Sequence, residues 1–128
     1  MNDCIVGIGS NIEAEYNIAE MLNLLADHVQ IVQVSKFVQT KPIGITEQPD
    51  YTNGAVRILT EMEKGELSLI LKQLEDQLGR DRTQEKSGPR NIDLDILIWN
   101  NQVVDPDYFT REFLRQSAAE LGFINLES

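Results

Sequence analysis

Cysteine, histidine and tryptophan each occur once in this chain of 128 residues, and proline only four times. Cys4 alone cannot close an internal disulfide, which removes the disulfide-stapled secreted scaffolds and leads us to expect a cytoplasmic setting. With His28 as the lone histidine, at the end of a helical pattern, no Ser-His-Asp or Cys-His nucleophile set is expected. No apolar run approaches the roughly 20 residues of a membrane-spanning helix, so no membrane partner is expected. Met1-Asn2-Asp3 puts no basic stretch ahead of an apolar one, so no secretory leader is expected either. The phosphate loop G-x-x-x-x-G-K-[ST] is absent, and Gly7-x-Gly9 lacks the third glycine and the acidic partner of a dinucleotide fingerprint. Positive charge is scarce: 11 Lys and Arg face 21 Asp and Glu, and a formal charge of −10 argues against a nucleic-acid binder. The rest of the composition is ordinary. A hydrophobic content of 41% rules out wholesale disorder, and the length predicts a single domain over residues 1–128.

Hydrophobic periodicity divides the chain into alternating elements. Cys4 to Gly9 is short and β-branched and predicts a strand that ends in the turn-forming Gly9-Ser10-Asn11. Ile18, Met21, Leu22, Leu25 and Val29 recur with helical spacing and predict a helix from about Glu13 to His28. Val29 to Gln39 predicts a second strand, and Thr40 to Asp50, with Pro42, Gly44 and Pro49, a loop. Tyr51 to Glu61 alternates as a third strand. Leu67, Ile70, Leu71, Leu74 and Leu78 give a second helix that Gly79 can close. After a basic loop, Ile92 to Trp99 predicts a fourth strand, and Asp105-Pro106 opens a last helix as N-cap and first-turn proline. The order β-α-β-β-α-β plus a C-terminal helix predicts an α+β, ferredoxin-like sandwich. Its four-stranded, largely antiparallel sheet should carry two helices on one face and be partly open on the other.

Three groups of residues bear chemistry. Strict alternation on the fourth strand puts Ile92, Leu94, Ile96 and Ile98 under the helices and Asp93, Asp95, Leu97 and Trp99 on the open face. Asp93 and Asp95 then stand about 7 Å apart along the strand, and paired hard oxygen donors suit Mg²⁺ shared with substrate phosphates. Arg80, Arg82, Lys86 and Arg90 gather four of the 11 basic residues into the loop that feeds this strand. Guanidinium forks beside paired carboxylates suit a polyphosphate with its metal. Tyr51 and Asn53, at i and i+2, offer a stacking ring and a two-way amide to a flat heterocycle. Each group also has a plainer reading, as a solvated strand face, a salt-bridged loop and a strand-edge tyrosine.

Taken together the motifs resemble the 6-hydroxymethyl-7,8-dihydropterin pyrophosphokinases (HPPK) of folate biosynthesis. The similarity lies in Ile8-Gly9-Ser10-Asn11, Thr40-Lys41-Pro42-Ile43-Gly44, Gln48 to Asn53, and above all Leu78 to Arg82 followed by Gly88-Pro89-Arg90-Asn91-Ile92-Asp93-Leu94-Asp95-Ile96-Leu97. It implies an enzyme that transfers pyrophosphate from ATP to the hydroxymethyl group of the dihydropterin and releases AMP. It implies two Mg²⁺ ions on Asp93 and Asp95, with Arg80, Arg82 and Arg90 as catalytic cations on the triphosphate. Glu75, Arg82 and Arg90 would contact ATP, and Thr40, Pro42, Ile43, Gly44, Tyr51 and Asn53 would hold the pterin; beside what the resemblance implies, Lys86 of the basic loop and Arg111 are also expected to contact ATP.

After Trp99 the chain departs from the family pattern, with neither the Pro-His segment nor the Pro-Leu turn, and Ser87 stands where an aromatic is common. Arg111 is expected to supply the missing cation, with Arg115 in reserve one turn further along the same helix face. The missing ring falls to Phe109, Phe113 or Phe123, among which spacing does not choose. The alternative is a paralogue that binds Mg-nucleotide or pterin without transfer.

Overall fold

Seven of the nine residues of the first strand, β1 (Asn2–Ser10), are buried, as the central strand of a sheet requires. A computed structural model of the chain describes residues 1–42, 47–79 and 91–124. After β1 come α1 (Ala14–Ala26), β2 (Gln30–Val34), β3 (Val38–Thr40), β4 (Tyr51–Thr60), α2 (Lys64–Gln77), β5 (Asp93–Trp99), β6 (Gln102–Val103), α3 (Asp107–Thr110) and α4 (Glu112–Glu120). The sheet runs β2-β4-β1-β5-β6, with β3 paired to β4, and every pairing is antiparallel. β1 takes one edge of β4, so β2 and β3 share the other. The fold is α+β with an open antiparallel sheet, as the order of elements predicts.

α1 and α2 cover one face. Cys4, Val6 and Ile8 of β1, Val56 and Ile58 of β4 and Leu94 of β5 meet Met21, Leu25, Leu67, Leu71 and Leu74 of the helices. Glu63 and Glu66 close a reciprocal capping box at the start of α2. Gly79, just past its end, takes φ 89° as the predicted helix stop. Burial, assisted by Asp3, pushes the Cys4 thiol up to about 12.

Four details differ from the sequence expectation. The expected second strand is two, because Ser35 interrupts it. The Ser35 N–H donates to Ala55 O at 2.9 Å, and its hydroxyl accepts the Ala55 N–H at 2.8 Å, in place of a ladder carbonyl. The next donor, Lys36 N–H, goes to the Glu120 carboxylate at 2.8 Å. Among the described residues the sheet also has six strands where four were expected. Besides this split, β6 follows a tight turn at Asn100 and Asn101, both at positive φ, and pairs with the end of β5.

Strict alternation fails on β5 after Ile96. Val6 pairs with Ile96 but Ile5 pairs with Ile98, so Leu97 is an extra, bulged residue. Ile98 therefore joins Leu97 on the second face, and Trp99 turns to the helix face, opposite to the expected placement of both. Finally, the single C-terminal helix is two short ones. Arg111 is extended (φ −120°, ψ 109°) and separates α3 from α4.

α4 lies on the second face of the sheet. Leu114, Ala118 and Leu121 pack on Ile5, Ala55, Leu97 and Ile98, with Tyr108 of α3. Burying one leucine of this kind contributes about 1.5–3 kcal/mol. Arg57 ties down the end of α4 by donating to Leu121 O at 3.3 Å while pairing with Asp3 at 2.6 Å. The helix therefore covers part of this face, and the remainder lines a cleft.

Candidate functional site

The floor of the cleft is set by two absent side chains. Odd-numbered residues of β1 face away from α1 and α2, and at two of those positions, Gly7 and Gly9, the strand is bare. Gly9 is level with Asn53 of β4 on one side and Asp93 of β5 on the other, and Gly7 is level with Asp95. Neighbouring strands lie about 4.8 Å apart, so the Asn53 and Asp93 backbones flank a bare strip roughly 10 Å wide. A Cβ on Gly9 would come within 3.0 Å of Asn53 Oδ1 and 3.9 Å of Asp93 Cβ. The strip thus separates an aromatic and amide side, at β4, from a carboxylate side, at β5. Gly7-x-Gly9 carried no such role in the sequence reading. The signal was there, as two glycines at strand spacing on the face opposite Val6 and Ile8.

The cleft has a volume of about 450 Å³ and is lined by Thr40, Tyr51, Asn53, Asp93, Asp95 and Arg111 among others. Six expected site residues, drawn from four parts of the chain, therefore meet here. The Asn53 side-chain amide donates to the Thr40 hydroxyl, and Thr40 is level with Tyr51 in the β3–β4 pair, so β3 orients the amide. Pro42 is not among the described lining residues. Ile43 and Gly44, and Arg80, Arg82, Lys86 and Arg90, lie outside the described residues.

Glu75 lies beneath the carboxylate strand. Only 3% exposed on α2, it accepts the Leu94 N–H at 2.8 Å, on the edge of β5 that the two-residue β6 leaves uncovered. It thus holds the peptide between Asp93 and Asp95. A carboxylate in the apolar stripe of Leu67, Leu71 and Leu74 was the sequence signal for a buried polar contact of this kind.

The C-terminal part sorts its arginines and its rings. Arg111 lines the cleft and its Nε lies 3.7 Å from Asp107. Arg115 does not share its face, because the extended residue between α3 and α4 breaks the helical spacing. Its guanidinium folds back and donates to Tyr108 O at 3.1 Å and Phe109 O at 2.9 Å, capping α3. Of the three candidate rings, Phe113 lines the cleft, together with Tyr51. Phe123 packs edge-on against Tyr108 on the α4 side, and Phe109 is 59% exposed.

The charge of the cleft bears on what it can hold. Asp93, Asp95, Asp105 and Asp107 face Lys41 and Arg111 among its described lining residues. Such a surface repels a polyphosphate unless cations intervene. The donor set fits Mg²⁺, which takes one or two carboxylates and completes its shell with water and phosphate oxygens. Among the described residues no group of three or more His, Cys, Asp or Glu is arranged to hold a metal.

Comparison with known proteins agrees with the motifs. The family model for 7,8-dihydro-6-hydroxymethylpterin-pyrophosphokinase matches residues 5–122. A 2-amino-4-hydroxy-6-hydroxymethyldihydropteridine pyrophosphokinase of Bacillus subtilis is 33% identical over 131 aligned positions, covering 94% of this chain and 78% of that protein. The protein of the same name from Haemophilus influenzae is 31% identical, over 82% of this chain and 67% of its own length. A folate synthesis bifunctional protein of Arabidopsis thaliana is 32% identical over 82% of this chain, which spans only 22% of that larger protein. Among the described residues no helix is long and apolar enough to cross a membrane.

Proposed function

Because the chain belongs to the 7,8-dihydro-6-hydroxymethylpterin-pyrophosphokinase family, we propose that it transfers the pyrophosphoryl group of ATP to 6-hydroxymethyl-7,8-dihydropterin in folate synthesis. The observation that carries this reading is the Gly7/Gly9 strip, with a heterocycle side and a carboxylate side facing each other across it. The hydroxymethyl oxygen forms a bond to the β-phosphorus, the bond from that phosphorus to the α,β-bridging oxygen breaks, AMP leaves and the hydroxyl proton is released. No protein nucleophile is needed, since phosphoryl transfer is carried by positioning and charge neutralisation.

On the heterocycle side, Tyr51 and Phe113 offer the two faces of a stack and Asn53, held by Thr40, reads the pterin edge, with Pro42, Ile43 and Gly44 in the adjoining segment. On the other side, Asp93 and Asp95 would hold two Mg²⁺ ions, whose positive charge would offset the charge of the phosphates beside the carboxylates. Glu75 fixes the strand that carries both carboxylates, and so serves the nucleotide through the Leu94 peptide. Arg80, Arg82, Lys86 and Arg90 meet the triphosphate, and Arg111 takes the place of the cation that the family supplies from its C-terminal part. The setting is the cytoplasm, and the partners are small molecules.

Calorimetric titration of a non-hydrolysable ATP analogue, with and without Mg²⁺ and with and without dihydropterin, tests the binding half. Mg²⁺-dependent nucleotide binding alongside a separate pterin site is expected. Nucleotide binding that ignores Mg²⁺ would sink the assignment of Asp93 and Asp95. Binding of both substrates without AMP formation would favour a paralogue that binds without transfer.

A further inference from the structure

The main chain of Arg111 is anchored on both sides, while its side chain is long and flexible. The residue is extended between α3 and α4; its N–H donates to Asp107 O at 3.0 Å, and its carbonyl accepts the Leu114 N–H at 3.1 Å. Among the described residues, the ionic partner of its guanidinium is the Asp107 carboxylate, with Oδ2 3.7 Å from Nε. Asp107 is itself set in place. Its N–H donates to Asp105 Oδ1 at 2.9 Å, and its carbonyl takes the Arg111 N–H, so both of its backbone groups are engaged. The two side chains therefore leave from points joined by a backbone hydrogen bond, and both line the cleft with Asp93 and Asp95.

With the two side chains 37% and 51% exposed, the pair adds little to stability. Its effect falls on the guanidinium. Nε is the nitrogen at the stem end of that group, so a contact there restrains the stem, and the far end is the fork that matches phosphate oxygens. We infer that Asp107 is a positioning residue: it orders the Arg111 guanidinium in the cleft before nucleotide arrives. Binding then does not have to immobilise a long side chain, a step that costs affinity. This rests on the cation role of Arg111 proposed above. The sign of the effect separates positioning from plain repulsion. Asp107 adds a negative charge to a cleft already lined by Asp93, Asp95 and Asp105. By repulsion alone, its removal would help a triphosphate; by positioning, its removal harms the use of the triphosphate, and only while Arg111 is present.

The test uses the full chain with Asp107→Asn, Asp107→Glu, Arg111→Ala and the double variant Asp107→Asn, Arg111→Ala. Steady-state rates with Mg²⁺ give kcat/KM for ATP and, separately, KM for dihydropterin. In the ligand-free protein, ¹⁵N relaxation of the Arg111 Nε–H, assigned by its loss in Arg111→Ala, reports the order of the side chain. Asp107→Asn should lower kcat/KM for ATP about three- to fivefold, the upper range for an exposed ion pair. The Nε–H should become more mobile, with KM for dihydropterin and melting temperature nearly unchanged. Asp107→Glu keeps the charge and should recover most of the loss. In the Arg111→Ala background, Asp107→Asn should cause no further loss.

An equal loss with and without Arg111 overturns the inference, because Asp107 then acts on its own. A rise in kcat/KM for ATP in Asp107→Asn also overturns it, as the mark of simple repulsion, and so does an Nε–H whose order ignores Asp107. A wild-type protein that forms no AMP sinks the functional reading and any catalytic use of the pair. Nε–H order that still depends on Asp107 in such a protein upholds the positioning itself, so the two failures are told apart.

Discussion

One methyl group added at Gly9 should disable one half of the proposed site and spare the other. The strand is extended there, so Gly9→Ala carries no penalty from left-handed backbone and should change stability by less than about 1 kcal/mol. Its Cβ would lie 3.0 Å from Asn53 Oδ1, tighter than ordinary contact, but 3.8 Å from Tyr51 and 3.9 Å from Asp93 Cβ. The Asn53 amide must therefore retreat by a few tenths of an ångström, and its bond to Thr40 loses alignment. Misplacing one well-made polar contact in a closed site costs about 1–3 kcal/mol, roughly 5- to 150-fold in affinity. The loss should fall on dihydropterin alone, because the carboxylate strand is only in ordinary contact with the new atom. Separate calorimetric titrations of dihydropterin and of a non-hydrolysable ATP analogue with Mg²⁺ measure the two halves. Unchanged pterin affinity, or equal loss for both ligands, would refute the division of the cleft across β1. Gly7→Ala is the control. The nearest atoms to its Cβ would belong to the Leu97 side chain, at 3.3 Å, whose end can give way, so the Asn53 amide is not displaced and the selective loss of pterin affinity should not appear.

Three further outcomes are expected. Asp93→Asn and Asp95→Asn should each abolish Mg²⁺-dependent nucleotide binding and cut turnover at least about 10²-fold, with little change in melting temperature; wild-type turnover would make the pair a solvated face. Arg111→Ala should lose turnover and keep stability. Arg115→Ala should do the reverse, losing about 1–2 kcal/mol and several degrees as two α3 carbonyls lose their donor, so steady-state rates and melting curves that swap these patterns would contradict the assignment. Cys4, with its thiol pushed up from 9.0 to about 12 by burial and by Asp3, should resist thiol reagents at pH 8 until the protein unfolds. A folded value above the unfolded one means that this contribution to stability is intact below pH 9 and lost as the pH rises toward 12, a loss that chemical unfolding across that range would reveal.

Where local pattern was enough, the sequence anticipated the structure. The spacing of Leu67, Leu71 and Leu74, with Gly79 behind them, defined α2 and its end, and alternation on β5 held from Ile92 to Ile96. Beyond Ile96 the bulge at Leu97 depends on how β5 registers against Ile5 and Val6, which no single strand reveals. The turn before β6 was available in the pair Asn100-Asn101, residues that tolerate positive φ, and went unread. The break at Arg111 carries neither proline nor glycine. It arises where Arg115 folds back onto the carbonyls of α3 and Leu114 docks on the sheet, contacts between elements rather than within one. That same break put Arg111 and Phe113 into the cleft and left Arg115 and Phe123 outside it, a choice that helical spacing had left open. The floor of the site escaped notice for a different reason: Gly7 and Gly9 matter through what they lack.

The proposed transfer is tested most directly by identifying its phosphorus products. Purified protein with ATP, Mg²⁺ and 6-hydroxymethyl-7,8-dihydropterin is followed by ³¹P NMR, and the phosphates formed are assigned and counted. Pyrophosphoryl transfer predicts AMP and a pterin diphosphate in equal amounts, both requiring Mg²⁺ and the pterin. ADP with a pterin monophosphate, or no new phosphorus species while both substrates bind, would contradict it.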